Sequence, residues 1–527
     1  MTHTINPYSI VAGCEATGGH RTLEAVNPAT GTAIPPAFIE ATDEEIDAAV
    51  QSAEHAVTDL RTSSNEQVAS FLECIAEHIL DLGDALIERG HAETALPAAR
   101  LQAERGRTIG QLQLFAALRR KGTYVDARID HADPQRTPLP KPDVRYMLTP
   151  IGPVVVFGAS NFPLAFSVAG GDTAAALAAG CPVVFKAHHA HMGTAALVGT
   201  AVTAAAKATG MPQGIFSLLH GRGRTVGDAL VRHPNTCAVT FTGSRAGGRA
   251  LFDIAAARPD PIPVFAEMGS VNPIFVLPGA MADRTEAIAT GFAQSVALGV
   301  GQFCTNPGLL FTLDGPVAQS FIAATERNLG EVGPATMLTP GICSAYREGI
   351  ERLASIPSVT SSHAACVDHD GRVLPTLFRT DGDTFLGDPR LAEEIFGPTT
   401  LIVTCKSVAQ METIAQGLDG QLTATVHATE TELDDASTLL ALLERKAGRV
   451  LFNGFPTGVE VCHAMHHGGP YPATTDARFT SVGSASIQRF LRPVAYQGFP
   501  DTALPASLRE ENVLGIQRTV DGQCSND

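Results

Sequence analysis

Five short β-rich runs alternate with alanine-rich helical segments between residues 151 and 277, and this pattern constrains the fold more than any other feature. The runs cover residues 154–157, 183–186, 215–219, 238–242 and 263–266. Such alternation predicts βαβ units around a parallel sheet, and therefore an α/β fold. Because parallel sheets bind ligands at the carboxyl ends of their strands, the residues that follow each run are candidates for a binding site.

Further elements precede and follow this stretch. The first 125 residues are mainly helical: a capping-box spacing from Thr42 to Glu45 predicts a helix reaching about Leu60, and a second helix is expected over 65–88. A proline-rich break follows at 134–142, and a second α/β stretch covers about 280–460. At 527 residues, the chain is expected to form two or three domains.

Composition excludes several classes of protein. The formal net charge of -17 disfavours binding to nucleic acid or to an anionic membrane. The N-terminus shows no signal-peptide pattern, and the apolar run 164–185 is interrupted by Asp172 and a glycine–proline turn, so we expect a cytoplasmic protein without a membrane span. Ten cysteines are scattered without CxxC pairs, which favours free thiols.

Three residues could together perform covalent catalysis. Cys304 follows a glycine-punctuated approach and offers a nucleophile, whereas Glu267 follows a predicted strand and offers a general base. Asn161 offers an amide that can donate hydrogen bonds to an oxyanion. Taken singly, Cys304 is more often a packing residue than a nucleophile, and Glu267 is equally well explained as a surface acid at a loop start.

A second set of residues is suited to an anionic cofactor. Gly243, Ser244 and Gly248 stand where a predicted strand ends and a helix begins, so backbone N–H groups and the helix N-terminus can face a phosphate. Lys186 ends another predicted strand. Each feature alone is also explained without a cofactor, by a plain strand–helix turn with Ser244 as N-cap or by a solvated lysine.

Two histidine-rich segments resemble metal sites in composition only. His188, His189 and His191 have no acidic or thiol ligands at a matching spacing nearby. The segment from Cys462 to His467 is followed by a glycine- and proline-rich loop, and its side chains are better interpreted as packing near a pocket. The sequence therefore predicts no metal.

Taken in order, six motifs resemble the aldehyde dehydrogenase superfamily over residues from about 24 to 500. They are Asn161-Phe-Pro, Lys186, Phe241-Thr-Gly-Ser, Glu267-Met-Gly, Gly301-Gln-Phe-Cys304 and the segment from Glu393 to Pro398. The resemblance implies that Cys304 attacks an aldehyde to give a thiohemiacetal and then a thioester. It also implies that Glu267 activates the hydrolytic water and that Asn161 forms an oxyanion hole with the Cys304 N–H.

The resemblance further implies an NAD(P) cofactor, contacted by Lys186, Gly243, Ser244, Gly248, Glu394 and Phe396. His189 stands where NAD-preferring members often carry a ribose-binding glutamate, and Arg222 and Arg224 follow the next predicted strand. Loss of that acid removes repulsion toward a 2′-phosphate, with which an arginine such as Arg224 can pair. We therefore expect NADP to be preferred over NAD.

The domain organisation also follows from the resemblance. A Rossmann-like cofactor domain is expected over 1–126 and 151–266, and an α/β catalytic domain over 267–483. A small bridging and oligomerisation β element is expected over 127–150 and 484–500, with a C-terminal tail over 501–527. The bridging element implies a homodimer or homotetramer.

The segment 453–474 is similar to that of family members that oxidise 2,5-dioxopentanoate to 2-oxoglutarate, and to that of NADP-dependent fatty aldehyde dehydrogenases. We therefore expect 2,5-dioxopentanoate as the small-molecule substrate, with a long-chain aldehyde as the alternative. A non-catalytic protein that kept the fold is a further alternative, against which the joint presence of Asn161, Glu267 and Cys304 counts. Acyl transfer to coenzyme A is disfavoured because Glu267 provides a base for water.

Overall fold

The computed structural model describes residues 4–362 and 372–525. Its strands form three larger sheets and two small two-stranded ones, which pair Thr22–Val26 with Ala33–Ile39 and Ala335–Thr336 with Arg372–Val373. None of the described helices is both long enough and apolar enough to cross a bilayer. The nine described cysteines are free, as predicted, whereas Cys366 lies outside the described residues.

The first sheet contains all five strands that the alternating pattern predicts. In spatial order its strands are Val264–Glu267, Ala238–Thr242, Val154–Phe157, Val183–Lys186, Phe216–Leu219, Ser9–Val11 and Cys14–Ala16. The first five run parallel, and the two N-terminal strands join antiparallel at one edge. The Val154–Phe157 strand is buried at every position, as expected for a parallel sheet covered on both faces. The predicted α/β class is confirmed.

The second sheet lies in the second half of the chain. Its strands, in spatial order, are Thr360–Ser361, Thr376–Asp381, Thr399–Cys405, Leu309–Leu313, Ile274–Val276, Gln421–His427 and Ala447–Phe452. Neighbouring strands are parallel, except that Thr360–Ser361 pairs antiparallel. Hydrophobic side chains such as Phe275, Phe311 and Phe378 are completely buried against it. This sheet therefore has a core of its own.

A third sheet of five strands joins segments that are far apart in the sequence. In spatial order these are Leu491–Gln497, Val144–Pro150, Arg128–Asp130, Arg518–Val520 and Gln523–Ser525. The sequence predicts residues 501–527 as a tail apart from the bridging element. The structure instead adds two strands of that tail to the same sheet, because Thr519 pairs with Arg128. The division of the chain into domains stays a prediction.

The first two helices test the sequence predictions directly. The helix Asp43–Leu60 begins after Thr42, whose hydroxyl accepts a hydrogen bond from Glu45 N while the Glu45 carboxylate accepts one from Thr42 N, so the capping box is confirmed. The single helix predicted over 65–88 is wrong. The structure has Asn65–Asp81 followed by Gly83–Thr94, and Gly83 adopts a φ of 55°, which interrupts the helix.

The other helices pack between and around the sheets. The remaining α-helices are Ala98–Lys121, Gly171–Ala179, Met192–Ala208, Asp228–Arg232, Arg245–Ala256, Pro278–Ala297, Pro316–Gly330, Pro340–Ala354, Gly382–Gly387, Val408–Gly417, Glu432–Asp435 and Ser437–Lys446. Short 3-10 turns span Thr123–Val125, His189–His191, Gln213–Ile215, Leu298–Gly301, Pro389–Ala392, Ser484–Phe490, Asp501–Ala503 and Ala506–Leu508, and Gly223–Gly227 is a π turn.

The pairing of the first sheet determines which residues share its carboxyl edge. Phe241 lies opposite Phe157, and Thr242 lies opposite Glu267. The segments that follow these strands, including Asn161 and Gly243, therefore leave the sheet side by side. The next strand along the chain, Ile274–Val276, belongs to the second sheet, and Cys304 lies in the loop before that sheet's strand Leu309–Leu313. The candidate site is consequently built from both halves of the chain.

Candidate active site

Cys304 lies in a loop whose backbone is tightly constrained. Gly299, Val300 and Gly301 all have φ values near 60°, so the chain turns sharply before the cysteine. A methyl group on Gly301 would lie 2.3 Å from the Gly397 carbonyl, which only glycine avoids. The loop therefore approaches the segment that carries Glu394 more closely than another residue at position 301 would allow.

The side chain of Asn272 anchors this loop through hydrogen bonds to its backbone. Its Nδ2 donates to the carbonyl oxygens of Cys304, at 2.8 Å, and of Asn306, at 2.9 Å. Its Oδ1 accepts hydrogen bonds from the hydroxyls of Ser270 and Thr423. Asn272 is completely buried and has a φ of 46°, a conformation that asparagine tolerates better than most residues. Sequence reasoning missed this residue.

Glu267 ends the first edge strand of the first sheet, and its carboxylate lies beside Cys304. His467 Nε2 is 3.0 Å from Glu267 Oε1 and 3.5 Å from Cys304 Sγ. Ser481 Oγ donates to Glu267 Oε2 at 2.5 Å. The contact with Oε1 is an ion pair by distance, but its angle is not that of a hydrogen bond. One imidazole nitrogen thus lies between the nucleophile and the base.

Burial and charge move the pKa values of this pair in opposite directions. Burial raises the pKa of Glu267, but the neighbouring His467 and the Ser481 hydroxyl outweigh it, so the pKa lies below the usual range. Burial also raises the pKa of the Cys304 thiol well above its usual value, and the Glu267 carboxylate adds to this rise. At neutral pH the resting pair is therefore a carboxylate beside a protonated thiol.

The burial of His467 indicates where its ring carries a proton. His467 Nδ1 is buried and makes no hydrogen bond to any residue that the structure describes. A proton on Nδ1 would be a buried donor without a partner, whereas a proton on Nε2 lies close to the thiol and to the carboxylate. We infer that the proton resides on Nε2, where it stabilises negative charge on either neighbour. From the sequence, His467 is interpreted only as a residue that packs near a pocket, and a role beside the nucleophile is not predicted.

Asn161 lies on the other side of the cysteine loop. Its Nδ2 donates to the Gln302 carbonyl oxygen at 2.9 Å, and Gln302 in turn accepts a hydrogen bond from Leu338 N through its side chain. Asn161 is buried, and it lines the same cavity as Cys304. Since an amide nitrogen carries two hydrogens, the second can be directed into the cavity toward an oxyanion.

The cavity above Cys304 has a volume of about 360 Å³ and brings together seven of the predicted site residues, namely Asn161, Gly243, Ser244, Glu267, Cys304, Glu394 and Phe396. Ser244 is also the N-cap of the helix Arg245–Ala256, as the plain turn interpretation requires. Glu394 lies directly over Gly269, where a methyl group would come within 2.1 Å of Glu394 Oε2. The cavity thus combines the catalytic candidates with part of the cofactor set.

Four predicted cofactor residues lie outside the lining of this cavity. Gly248 lies beneath it, where a methyl group would come within 2.7 Å of Met268, so this glycine allows helix and strand to pack closely. Lys186 ends the strand Val183–Lys186, and His189 stacks on His188 in the turn that follows. Arg224 is exposed in the turn after the neighbouring strand Phe216–Leu219. The last three therefore lie at the ends of adjacent strands.

The environment of Lys186 indicates whether the carboxyl edge of the first sheet suits a phosphate-bearing cofactor. Lys186 is a buried residue, and its ammonium group makes no hydrogen bond or ion pair with the described residues. Burial lowers the pKa of Lys186 to about 8, although the charge of Glu40 acts in the opposite direction. Glu40, which sequence reasoning missed, is itself engaged by Arg222 N and the Thr225 hydroxyl. A buried cation without a paired anion fits a phosphate or ribose ligand.

The catalytic candidates also have the chemistry of metal ligands. Ligand atoms of Glu267, Cys304 and His467 all lie within 4.8 Å of one another. A carboxylate, a thiolate and an imidazole can bind zinc, and the sequence predicts no metal. That prediction stays a prediction. What the arrangement provides directly is a nucleophile, a base and hydrogen-bond donors around one cavity.

Fold and site together suit a class of enzyme that uses a cysteine nucleophile beside a dinucleotide-type sheet. The chain belongs to the aldehyde dehydrogenase family, which matches residues 15–490. It is accordingly an NAD(P)-dependent aldehyde dehydrogenase.

Full-length relatives narrow the comparison. The chain is 53% identical over 517 residues to alpha-ketoglutaric semialdehyde dehydrogenase 2 of Azospirillum brasilense, with 98% of each chain covered. It is 46% identical over 521 residues to the alpha-ketoglutaric semialdehyde dehydrogenase of Acinetobacter baylyi, again with 98% of each covered. Aldehyde dehydrogenase C of Pseudomonas syringae has the same fold, with a TM-score of 0.80 at 21% identity over 95% of this chain and 100% of that one.

We expect Asn272→Ala to lower kcat/KM by about 10-fold or more, because two buried carbonyl oxygens lose their donor and each costs about 1–3 kcal/mol. Steady-state kinetics and the rate of Cys304 alkylation by iodoacetamide measure the effect. Asn272→Gly is the matched control, since it removes the amide but accepts the positive φ. Full activity in the glycine variant would show that backbone conformation, not the amide, positions the cysteine.

Proposed function

We propose that this enzyme oxidises 2,5-dioxopentanoate, the semialdehyde of 2-oxoglutarate, to 2-oxoglutarate. The observation that supports this substrate is the identity of 53% and 46%, over nearly the whole chain, to two alpha-ketoglutaric semialdehyde dehydrogenases. A long-chain aldehyde is the second candidate, because aromatic side chains such as Phe162, Phe166 and Phe303 pack in one cluster beside Cys304. Both substrates require the same covalent chemistry.

Cys304 is proposed as the nucleophile. Its sulfur attacks the aldehyde carbon, a C–S bond forms, and the thiol proton leaves to the Glu267 carboxylate. His467 Nε2 lies 3.5 Å from the Cys304 sulfur and 3.0 Å from Glu267 Oε1, so a proton on it stabilises whichever group is charged. Negative charge that develops on the aldehyde oxygen is held by the Cys304 backbone N–H and by Asn161 Nδ2, and a single donor of this kind contributes about 3 kcal/mol.

The second half of the reaction hydrolyses the thioester. Glu267, having released its proton to solvent, takes a proton from a water molecule, which attacks the acyl carbon and displaces the Cys304 thiolate. Ser481 fixes one carboxylate oxygen, and the other, Oε1, lies 3.0 Å from His467 Nε2. The thiolate recovers a proton and the acid leaves. Glu267 thus serves as base in both halves.

The cofactor is proposed to lie along the carboxyl edge of the first sheet. When bound, NAD(P) supplies the nicotinamide that accepts a hydride from the aldehyde carbon. Its contacts are proposed to be Lys186, His189, Arg224, Gly243, Ser244, Gly248, Glu394 and Phe396, of which Glu394 would hold the nicotinamide ribose. The exposed Arg224 and Lys186, which forms no ion pair with the described residues, support a preference for NADP, whose 2′-phosphate adds negative charge.

Assembly and location follow the same proposal. The five-stranded sheet, which pairs Leu491–Gln497 with Val144–Pro150 and is extended by the tail, is proposed to join subunits into a homodimer or homotetramer. The cofactor domain is proposed to comprise 1–126 and 151–266, and the catalytic domain 267–483. We propose a cytoplasmic enzyme.

A substrate panel tests the proposal. We expect kcat/KM for 2,5-dioxopentanoate to exceed that for octanal by about 10-fold or more, because only the former has a carboxylate to bind. The appearance of NADPH or NADH at 340 nm provides the measurement, and running both cofactors compares NADP with NAD. Cys304→Ala is the control and should be inactive while binding cofactor. A higher kcat/KM for octanal would favour the long-chain candidate.

Glu267→Gln should produce a burst of about one NAD(P)H per active site, followed by a steady state slowed about 100-fold. The glutamine variant lacks the Glu267 charge that helps to raise the pKa of the Cys304 thiol, so the thiol can lose its proton to solvent before aldehyde is added, whereas water must be activated in every turnover. Stopped-flow absorbance measures both phases. Ser481→Ala is the matched variant: it keeps the carboxylate but removes a hydrogen bond that lowers its pKa, so the acidic limb of the kcat profile should move to higher pH. An unchanged steady state in Glu267→Gln would exclude its role as base.

The cofactor KM should rise with pH above about 8, because Lys186 loses its proton in this range. The sign follows from the ligand: an anionic cofactor binds the protonated lysine, so binding is strongest below the pKa of Lys186 and weakens above it. Lys186→Arg stays charged and should give a KM that is flat from pH 7 to 9.5. The same pH dependence in both proteins would assign it to another group.

A further inference from the structure

Phe162, Phe166 and Phe303 form an aromatic wall beside Cys304. Phe162 packs edge-on against Phe166, with ring centroids 5.3 Å apart, and against Phe303, at 5.5 Å. Phe303 directly precedes Cys304 in the chain, so this wall lies next to the nucleophile. Hydrophobic residues of the segment 459–482 complete the cluster.

Two arginines of the helix Ala98–Lys121 lie against this wall. Arg100 Cζ is 4.6 Å from the centroid of the Phe162 ring, and Arg107 Cζ is 6.0 Å from it. Arg107 Cζ is also 5.5 Å from the Phe166 centroid. The two positions are seven residues apart, or about two turns, and therefore share one face of the helix. Two guanidinium groups thus lie against the aromatic wall.

Only one of these arginines has an acidic partner. Glu104, between them on the same helix, accepts hydrogen bonds from Leu164 N and Ala165 N through Oε1. Its Oε2 lies 3.5 Å from Arg100 Nη2. Arg107 forms no ion pair with the described residues, and its Nε and Nη2 are buried without a hydrogen-bond partner. A buried charged donor without a partner in the chain is one that a ligand can satisfy.

The unpartnered atoms of Arg107 are those that a carboxylate uses. Elsewhere in this chain, Nε and Nη2 of Arg128 donate to the two carboxylate oxygens of Asp126, and the same atoms of Arg478 donate to Asp476. This edge of a guanidinium matches a carboxylate in two parallel hydrogen bonds. Arg107 presents that edge with no acid against it.

Electrostatics also place Arg107 near the reacting sulfur. Burial is the main cause of the raised pKa of the Cys304 thiol, and the charge of Arg107 acts against it. Reciprocally, burial lowers the pKa of Arg107, while Glu104 and Cys304 raise it. The charges of the Arg107 guanidinium and the Cys304 thiolate therefore interact, and each shifts the pKa of the other group.

We propose that Arg107 binds the carboxylate of the aldehyde substrate through Nε and Nη2, and so selects short aldehydes that carry an acid group at the far end. The inference rests on the proposed function, because it assigns the carboxylate of 2,5-dioxopentanoate to a residue. A fatty aldehyde would leave the same guanidinium buried without a partner, which disfavours it.

The test compares 2,5-dioxopentanoate with pentanal, a neutral aldehyde of equal carbon number, in the full-length enzyme with cofactor. Arg107→Met should raise the KM for 2,5-dioxopentanoate by about 100-fold, with kcat changed by less than about 3-fold and kcat/KM for pentanal not reduced. Arg107→Lys should retain part of the preference, since it keeps the charge but not the paired donors. Arg105→Met, on the same helix but bonded to the Gly83 carbonyl, should leave both substrates unchanged.

The outcomes separate this inference from the proposed function. If wild type prefers 2,5-dioxopentanoate and Arg107→Met keeps that preference, the inference is overturned and the proposed function stands. If wild type shows no preference for the acidic aldehyde, both are overturned. Equal losses for the two substrates in Arg107→Met would reveal a structural role only, which also overturns the inference.

Discussion

The arrangement of the site depends on how the buried carboxylate of Glu267 is held. Residues 473–475 run along the free edge of the first sheet, where Met268 N donates to Ala473 O and Thr475 N donates to Ala266 O. Glu267 itself forms a bridge with Thr474. This pairing brings the flanking residues His467 and Ser481 to the carboxylate. A late segment of the chain thus completes the edge strand and supplies the partners that a buried charge requires.

The same carboxylate determines the state of the nucleophile. Because Glu267 is stabilised as an anion, a second negative charge on Cys304 is unfavourable, and the thiol stays protonated at rest. Reaction therefore requires the proton to leave the pair as the C–S bond forms. His467 Nε2 suits this change, since it lies close to both the sulfur and the carboxylate. A resting thiol is also less open to oxidation than a thiolate.

Local pattern was sufficient to predict the capping box at Thr42 and the five parallel strands of the first sheet, but not the two N-terminal strands that pair at its edge. It was insufficient for the helix break at Gly83, where a single glycine with a positive φ outweighs a continuous apolar pattern. Of the catalytic candidates, Asn161, Glu267 and Cys304 could be singled out by their order along the chain. The structure places them around one cavity, but their roles stay predictions.

The residues that sequence reasoning missed share a physical reason. His467 is 163 residues from Cys304, and Ser481 is 214 residues from Glu267, so their contacts arise only when the late segment pairs with the first sheet. Asn272 and Arg107 are also ordinary in their local sequence. What distinguishes them is burial combined with hydrogen bonding. Both side-chain polar atoms of Asn272 form hydrogen bonds, whereas Arg107 Nε and Nη2 are buried without a hydrogen-bond partner.

The charges along the aromatic wall explain why such a donor edge is compatible with the fold. Arg100 lies beside Glu104, and these opposite charges largely cancel. Arg107 forms no ion pair with the described residues, and its guanidinium is held among Phe162 and Phe166, whose ring faces attract cations. The aromatic rings stabilise the guanidinium without occupying its hydrogen-bond donors. A ligand carboxylate would engage the unpartnered Nε and Nη2, whereas a neutral alkyl chain would not, so this donor edge favours an acidic substrate.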